Sequence, residues 1–215
     1  MAQEIKLLLG TALVTLIILG GAIFLLSKSP QDLEKEKQSA LVRGSATSVA
    51  TSSAQVSLVE FADFQCPACA AAHSIVQSVK EEYKDKIVFS YRHFPLPQHA
   101  NALIAAEAAE AAGEQGKFWE MHDKLFIKQE EWSESTNALD LYKGYAKEIG
   151  LDVIKFTESV QSGKHRQKIN QDKKDGETLG VNSTPTFFID EARIIGVPSM
   201  SDLKEVIEKR LSQKS

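Results

Sequence analysis

The sequence predicts an α/β fold in which a βαβ unit and a ββα unit enclose a block of helices, preceded by one N-terminal transmembrane helix. Three observations carry this expectation. Apolar runs at 56–61 and 87–91 flank a segment whose apolar residues recur at three and four. Two further runs, 186–189 and 193–195, are separated by a tight three-residue connection ahead of a helical pattern. Between these halves, about residues 97–180, one helical pattern follows another.

The chain has 215 residues, of which 43% are hydrophobic and 25% charged. That suits one main domain with a sizeable core plus accessory segments. The net charge of -4 leaves no electrostatic footprint for nucleic acid, and no such partner is expected. The densest basic run is Lys164, His165, Arg166, Lys168, Lys173 and Lys174. Asp172, Asp175 and Glu177 sit among these residues, so the run reads as a solvated helix face.

Residues 7–27, LLLGTALVTLIILGGAIFLLS, carry no charge and are flanked by Lys6 and Lys28. As a helix, about 21 residues span roughly 30 Å, the thickness of a bilayer core. A cleaved signal peptide has a shorter apolar region of about 7–15 residues and a small-residue cleavage site. Ser27-Lys28-Ser29-Pro30 has no such pattern, which favours an uncleaved signal-anchor. Basic residues flank both sides, so charge alone does not orient it. Residues 28–54 read as a flexible linker: 31–38 is charged and compatible with a helix, and 45–53 is rich in Ser, Thr and Ala with little to bury.

The folded domain is expected over 55–215. Val56 to Phe61 suits a central strand. Cys69, Ala72, Val76, Val79 and Tyr83 mark the buried face of a helix. Ile87 to Tyr91 completes a βαβ unit, which implies a parallel pair. Helices are then expected at 100–112, 118–128, 138–149, 152–162 with Asp152 as N-cap, and 164–179. Thr186 to Ile189 and Arg193 to Ile195 read as a hairpin, although Asp190-Glu191 lacks the usual turn glycine. A last helix spans 201–211.

The chain has only two cysteines, in Cys66-Pro67-Ala68-Cys69. A bridge over so short a loop adds little stability, so it points to chemistry rather than scaffold. Cys66 falls where a strand gives way to a helix. The unpaired N–H groups and dipole there favour a negative charge, hence the reactive thiolate. Pro67 suits the first helical position. Cys69, one turn on, is placed to resolve a mixed disulfide formed at Cys66. A structural zinc site would need four ligands, and this motif offers two. His73 lies four residues after Cys69, and no spacing brings His93, His99, His122 or His165 into a set with it. Trp119 and Trp132 read as packing residues. The exchange chemistry requires no metal, nucleotide or other bound cofactor.

VEFADFQCPAC, the helical insertion and STPTFFID together resemble the DsbA-like branch of the thioredoxin superfamily, and more narrowly its membrane-anchored bacterial oxidoreductases. The resemblance covers about residues 55–212 and implies a thioredoxin-like fold. It implies catalytic roles for Cys66 and Cys69. It implies that Glu60, six residues before the first cysteine, is a buried acid moving a proton to or from Cys69. A Glu pointing to water at a strand end is the alternative. It further implies a cis bond at Thr184-Pro185, with the Thr184 backbone pairing with substrate. Ala68 departs from the strongly oxidising members, which often carry His there, so a lowered but less extreme Cys66 pKa is expected. The implied activity introduces disulfides into exported proteins. Its partners are reduced or unfolded substrate chains and a membrane redox partner for reoxidation, and the catalytic domain lies outside the cytoplasm. A reductase or isomerase on the same scaffold is the alternative, as is a metal-binding or chaperone-like module.

Overall fold

The computed structural model describes residues 29–42, 48–49 and 54–214. The expected apolar span 7–27 lies outside them. Among the described residues, no helix is long and apolar enough to cross a membrane. The chain divides into two units, 1–39 and 40–215. In the first, Ser29 Oγ accepts from Asp32 N at 3.1 Å and so caps the start of helix α1 (Pro30–Val42).

The second unit is built on a five-stranded sheet of order β1-β3-β2-β4-β5. Strand β2 (Val56–Ala62) is central, and its nearly unbroken apolar run reflects burial on both faces. Helix α2 (Pro67–Glu82) crosses over to β3 (Ile87–His93), which pairs parallel to β2 with Glu60 opposite Tyr91. Strand β4 (Thr186–Ile189) pairs antiparallel on the other side of β2, with Phe61 opposite Thr186. The end of β2 therefore lies beside the start of β4, and this brings the cysteine loop to the Thr184-Pro185 loop. Strand β5 (Ala192–Ile195) completes the hairpin. Asp190 replaces the missing turn glycine by taking the left-handed region, φ 50°, which Asp tolerates better than most residues. Its carboxylate accepts from Ser57 N at 3.1 Å and from Lys214 Nζ at 2.7 Å.

Alternation along β2 sorts the core. Val56, Leu58 and Ala62 join the larger cluster, with Cys69, Ala72, Val76 and Val79 of α2. Val59 and Phe61 turn to the other face, against Phe94, Val181 and Phe188. Glu60, in step with Leu58, shares the α2 face.

The insertion comprises α3 (Ala102–Gly113), α4 (Phe118–Ile127), α5 (Gln129–Trp132), α6 (Ala138–Glu148), α7 (Val153–Ser162) and α8 (Arg166–Thr178). Helix α9 (Met200–Lys214) packs against α2 and the sheet. Asp152 caps α7, accepting from the N–H groups of Ile154 and Lys155. The short α5 has no counterpart in the sequence reading.

One segment gains detail and one expectation needs correction. The linker expected over 28–54 contains α1 and a two-residue strand, β1 (Ser48–Val49). Strand β1 pairs antiparallel with Phe89 and Ser90 of β3, and Arg92 Nη1 donates to Ala40 O at 3.1 Å. Pairing with β3 holds β1, and the Arg92 side chain reaches Ala40, neither of which composition encodes. The basic run of α8 is also not simply a solvated face. Asp172 and Asp175 are buried, and each binds the buried Arg92 guanidinium at 2.6 Å. Arg166 and Lys168 pair with Glu107 and Glu110 of α3, both buried.

Candidate active site

Cys66 is the N-cap of α2, in extended backbone at φ -74° and ψ 121°, and Pro67 occupies the first turn. The two cysteines are free thiols with unequal burial: Cys66 is 7% exposed and Cys69 fully buried. The cis bond between Thr184 and Pro185 lies across from them. Cys66 Sγ is 3.5 Å from Thr184 O.

The electrostatics divide the pair. The Cys66 thiol is lowered to about 5, chiefly by the hydrogen bond from the Cys69 thiol. Burial opposes this shift. The Thr184 hydroxyl, which has no other partner, and the first-turn N–H groups of Cys69 and Ala68 reinforce it. Burial holds the Cys69 thiol well above its ordinary value, and the neighbouring Cys66 and Glu60 push the same way. One sulfur is thus a thiolate at neutral pH and the other keeps its proton. Ala68 offers no side-chain donor, so the stabilisation of Cys66 comes from Cys69, Thr184 and the helix start.

Glu60 is buried at 2% exposure, which removes the water-facing alternative. Burial pushes its carboxyl up to about 8, and the Lys80 ammonium partly offsets this. Lys80 is half-buried, with Nζ 4.4 Å from the Trp119 ring centre and 4.9 Å from that of Phe89. Burial lowers its own pKa. The sequence reading missed Lys80, although it lies three helical turns after Cys69 on the same face.

It also missed three amide side chains that hold the cysteine loop. Gln129 of α5 donates to Phe64 O at 2.7 Å and to Cys66 O at 3.0 Å. Gln65 donates to Ser133 O and accepts from Asn101 N, both at 2.7 Å. Asn101 Nδ2 reaches Trp132 O, Ser133 O and Ser135 O. Asp63 completes the loop, accepting from Gln65 N, Leu96 N and the His99 ring. His93 pairs with Glu110 at 2.8 Å in the core. Trp132 is fully buried, as expected of a packing residue.

Residues 45–209 match the family described as Thioredoxin. Among curated relatives, the Na(+)/H(+) antiporter NhaA 1 of Mycolicibacterium vanbaalenii is 38% identical over 156 residues, covering 70% of this chain. The chain spans only 24% of that relative's length. Among solved structures, a thioredoxin-like oxidoreductase from Silicibacter pomeroyi is similar with a TM-score of 0.69 and 26% identity, over 83% of this chain and 98% of that one. The α-DsbA1 protein of Wolbachia pipientis shares the fold at a TM-score of 0.70 and 23% identity, over 78% of this chain and 91% of that one. The dithiol at a helix start, the cis-proline loop and the family match over most of its length together mean that this chain belongs to the thioredoxin family.

Proposed function

We propose that the chain is a thiol–disulfide oxidoreductase that introduces disulfides into exported proteins through Cys66 and Cys69. The observation that carries this reading is the unequal pair: a Cys66 thiol lowered to about 5 beside a buried Cys69 whose thiol is raised. A stabilised Cys66 thiolate is a good leaving group, and it favours the reduced enzyme, which makes the disulfide form an oxidant. A Cys66 value of about 5 falls between the roughly 7 of thioredoxin and the roughly 3.5 of DsbA.

The cycle starts from the Cys66–Cys69 disulfide. A substrate thiolate attacks Cys66 Sγ, a mixed disulfide forms, and the electron pair of the broken bond goes to Cys69. Glu60, close to neutrality in its titration, supplies the proton that Cys69 takes up. A second substrate thiolate attacks the substrate sulfur of the mixed disulfide and expels Cys66 as thiolate. Two substrate thiols become one disulfide, and the enzyme leaves reduced. A membrane redox partner accepts the two electrons. Pro67 starts the helix that holds Cys66, and Thr184 and Pro185 present a backbone edge to the substrate chain.

Disulfide donation belongs to an oxidising compartment. We accordingly place the domain outside the cytoplasm, held at the cell membrane by the apolar segment 7–27. Labelling of Cys66 by a membrane-impermeant thiol reagent on intact cells checks that orientation. The transport named for the antiporter relatives is not carried over, because this chain spans about a quarter of their length.

The test is the reduction potential of the chain in glutathione buffers. A value near the roughly -120 mV of DsbA supports an oxidase. One near or below the roughly -270 mV of thioredoxin keeps the exchange chemistry and reverses its direction, as a reductase would.

A further inference from the structure

A second cluster of reactive side chains lies between α2 and α4, and none of its members belongs to the dithiol site. His73 Nε2 is 3.0 Å from Asp123 Oδ1, and His122 Nδ1 is 2.8 Å from the same oxygen. Gln77 Nε2 is 2.7 Å from that oxygen and 3.1 Å from His73 Nε2. Three nitrogens from two helices converge on one carboxylate oxygen.

Protons on an ionised cluster leave one of its contacts unmatched. Gln77 Nε2, His73 Nε2 and Asp123 Oδ1 form a closed triangle. If His73 Nε2 carries hydrogen and donates to Asp123, it meets a second donor in the Gln77 amide. If it is a lone pair accepting from Gln77, that lone pair faces the carboxylate's. Reversing the Gln77 amide sets two acceptor oxygens together. With Asp123 ionised, every assignment leaves one side of the triangle without a donor–acceptor match.

His122 presents the same problem from the core. It is 1% exposed, and its Nε2 has no hydrogen-bond partner. The rings of Tyr91, Phe126 and Trp119 surround it, with centres 4.8, 5.0 and 5.1 Å away and steep interplanar angles. Aromatic faces tolerate an N–H edge better than a bare lone pair. Hydrogen on Nε2 leaves the Nδ1 lone pair 2.8 Å from Asp123 Oδ1, a repulsion that a cation between them would remove.

We propose that His73, His122 and Asp123 bind one divalent cation of the zinc class, joining the helix that carries the cysteines to the helical insertion. The three ligand atoms lie within 4.8 Å of one another. Tetrahedral zinc with bonds of about 2.1 Å sets its ligand atoms about 3.4 Å apart. The two short separations, 3.0 and 2.8 Å, need to open by about half an ångström, and the two imidazoles, within 4.8 Å, need to draw together. Two imidazoles and a carboxylate suit zinc rather than calcium or magnesium. The Asp123 side chain is 40% exposed, which leaves a fourth position open to water. Gln77 still donates to Asp123 once the cation holds the lone pairs. The nearby Lys80 ammonium opposes a further positive charge, so the expected affinity is micromolar rather than that of a four-ligand structural site.

The experiment uses the full chain carrying C66S and C69S, so that no thiolate binds metal. Zn²⁺ is titrated by calorimetry, and Co²⁺ is followed by its visible absorption. The expected result is one equivalent of Zn²⁺ per chain, a raised Tm, and the intense Co²⁺ bands of a tetrahedral site. H73Q and D123N are expected to weaken Zn²⁺ binding by more than about tenfold while keeping the circular-dichroism spectrum of the parent. The proposal is overturned if the thiol-free chain takes up no stoichiometric Zn²⁺ at tens of micromolar. It is equally overturned if H73Q and D123N bind as the parent does, or if binding appears only when the cysteines are present.

Discussion

Cys66 Sγ lies 3.5 Å from the carbonyl oxygen of Thr184, the residue that precedes the cis proline. The thiol donates to that carbonyl only while it is protonated. Ionisation therefore makes Cys66 a nucleophile and, in the same event, releases the Thr184 carbonyl to accept from an incoming backbone N–H. The two loops are coupled through one proton.

Alkylation should read that proton directly. With iodoacetamide, Cys66 is expected to react with a midpoint near pH 5, and Cys69 to stay unreactive until well above pH 9. Removing the Thr184 hydroxyl in T184V should raise the Cys66 midpoint by less than about one unit. Peptide mass spectrometry against pH measures both. A Cys66 midpoint in the range of a free thiol would remove the basis of the oxidase reading.

Glu60 predicts opposite effects on stability and rate. Its folded pKa of about 8 lies above the ordinary 4.5. Below pH 4.5 both folded and unfolded forms hold the proton. Between 4.5 and 8 the unfolded form loses it first, so the folded state loses stability as pH rises. E60Q removes that dependence. At pH 8 it should be more stable than the parent in urea, by an amount on the order of 2–4 kcal/mol. Its disulfide exchange at neutral pH should be slower by about tenfold or more, through loss of the proton donor to Cys69.

Arg92 holds Asp172 and Asp175 by separate nitrogens in the core, with its guanidinium 5.3 Å from the Phe61 ring centre. A lysine ammonium cannot serve both carboxylates in that planar geometry. R92K should lower unfolding stability by about 3 kcal/mol, and R92L by more, since it leaves two buried acids without their cation. Urea midpoints at pH 7 check the order of the two variants.

Gly176 packs within α8 against aromatic rings. A Cβ there would sit 2.8 and 2.9 Å from Phe94 ring carbons and 3.0 Å from one of Phe61. G176A should therefore destabilise by about 1–3 kcal/mol, although alanine is the better helix former. An unchanged Tm would mean that the rings yield at no cost.

The elements legible in the sequence are those fixed by near neighbours. Pro67 and the periodicity from Cys69 to Tyr83 place Cys66 at a helix start, and the structure has it there. Asp152 caps its helix as its type and place suggest. Glu60 was harder, because 56–61 is apolar almost throughout and alternation did not tell which way the side chain points. Arg92 gave no local signal at all: its carboxylate partners stand 80 and 83 positions further on. Gln129 likewise meets Phe64 and Cys66 across 65 and 63 positions. Cross-chain partnerships of this kind arise from topology, which the local pattern only bounds.

The three amides that hold the cysteine loop carry a consequence for the conditions under which the chain operates. Gln65, Asn101 and Gln129 are uncharged at every pH, and their hydrogen bonds are not screened by salt. Ion pairs such as Lys124 with Glu148 weaken in brine or acid. Where these amides hold it, the loop around Cys66 should keep its shape through such swings. The frame of the site is thus largely indifferent to its surroundings, while the response to pH rests with the sulfurs and Glu60.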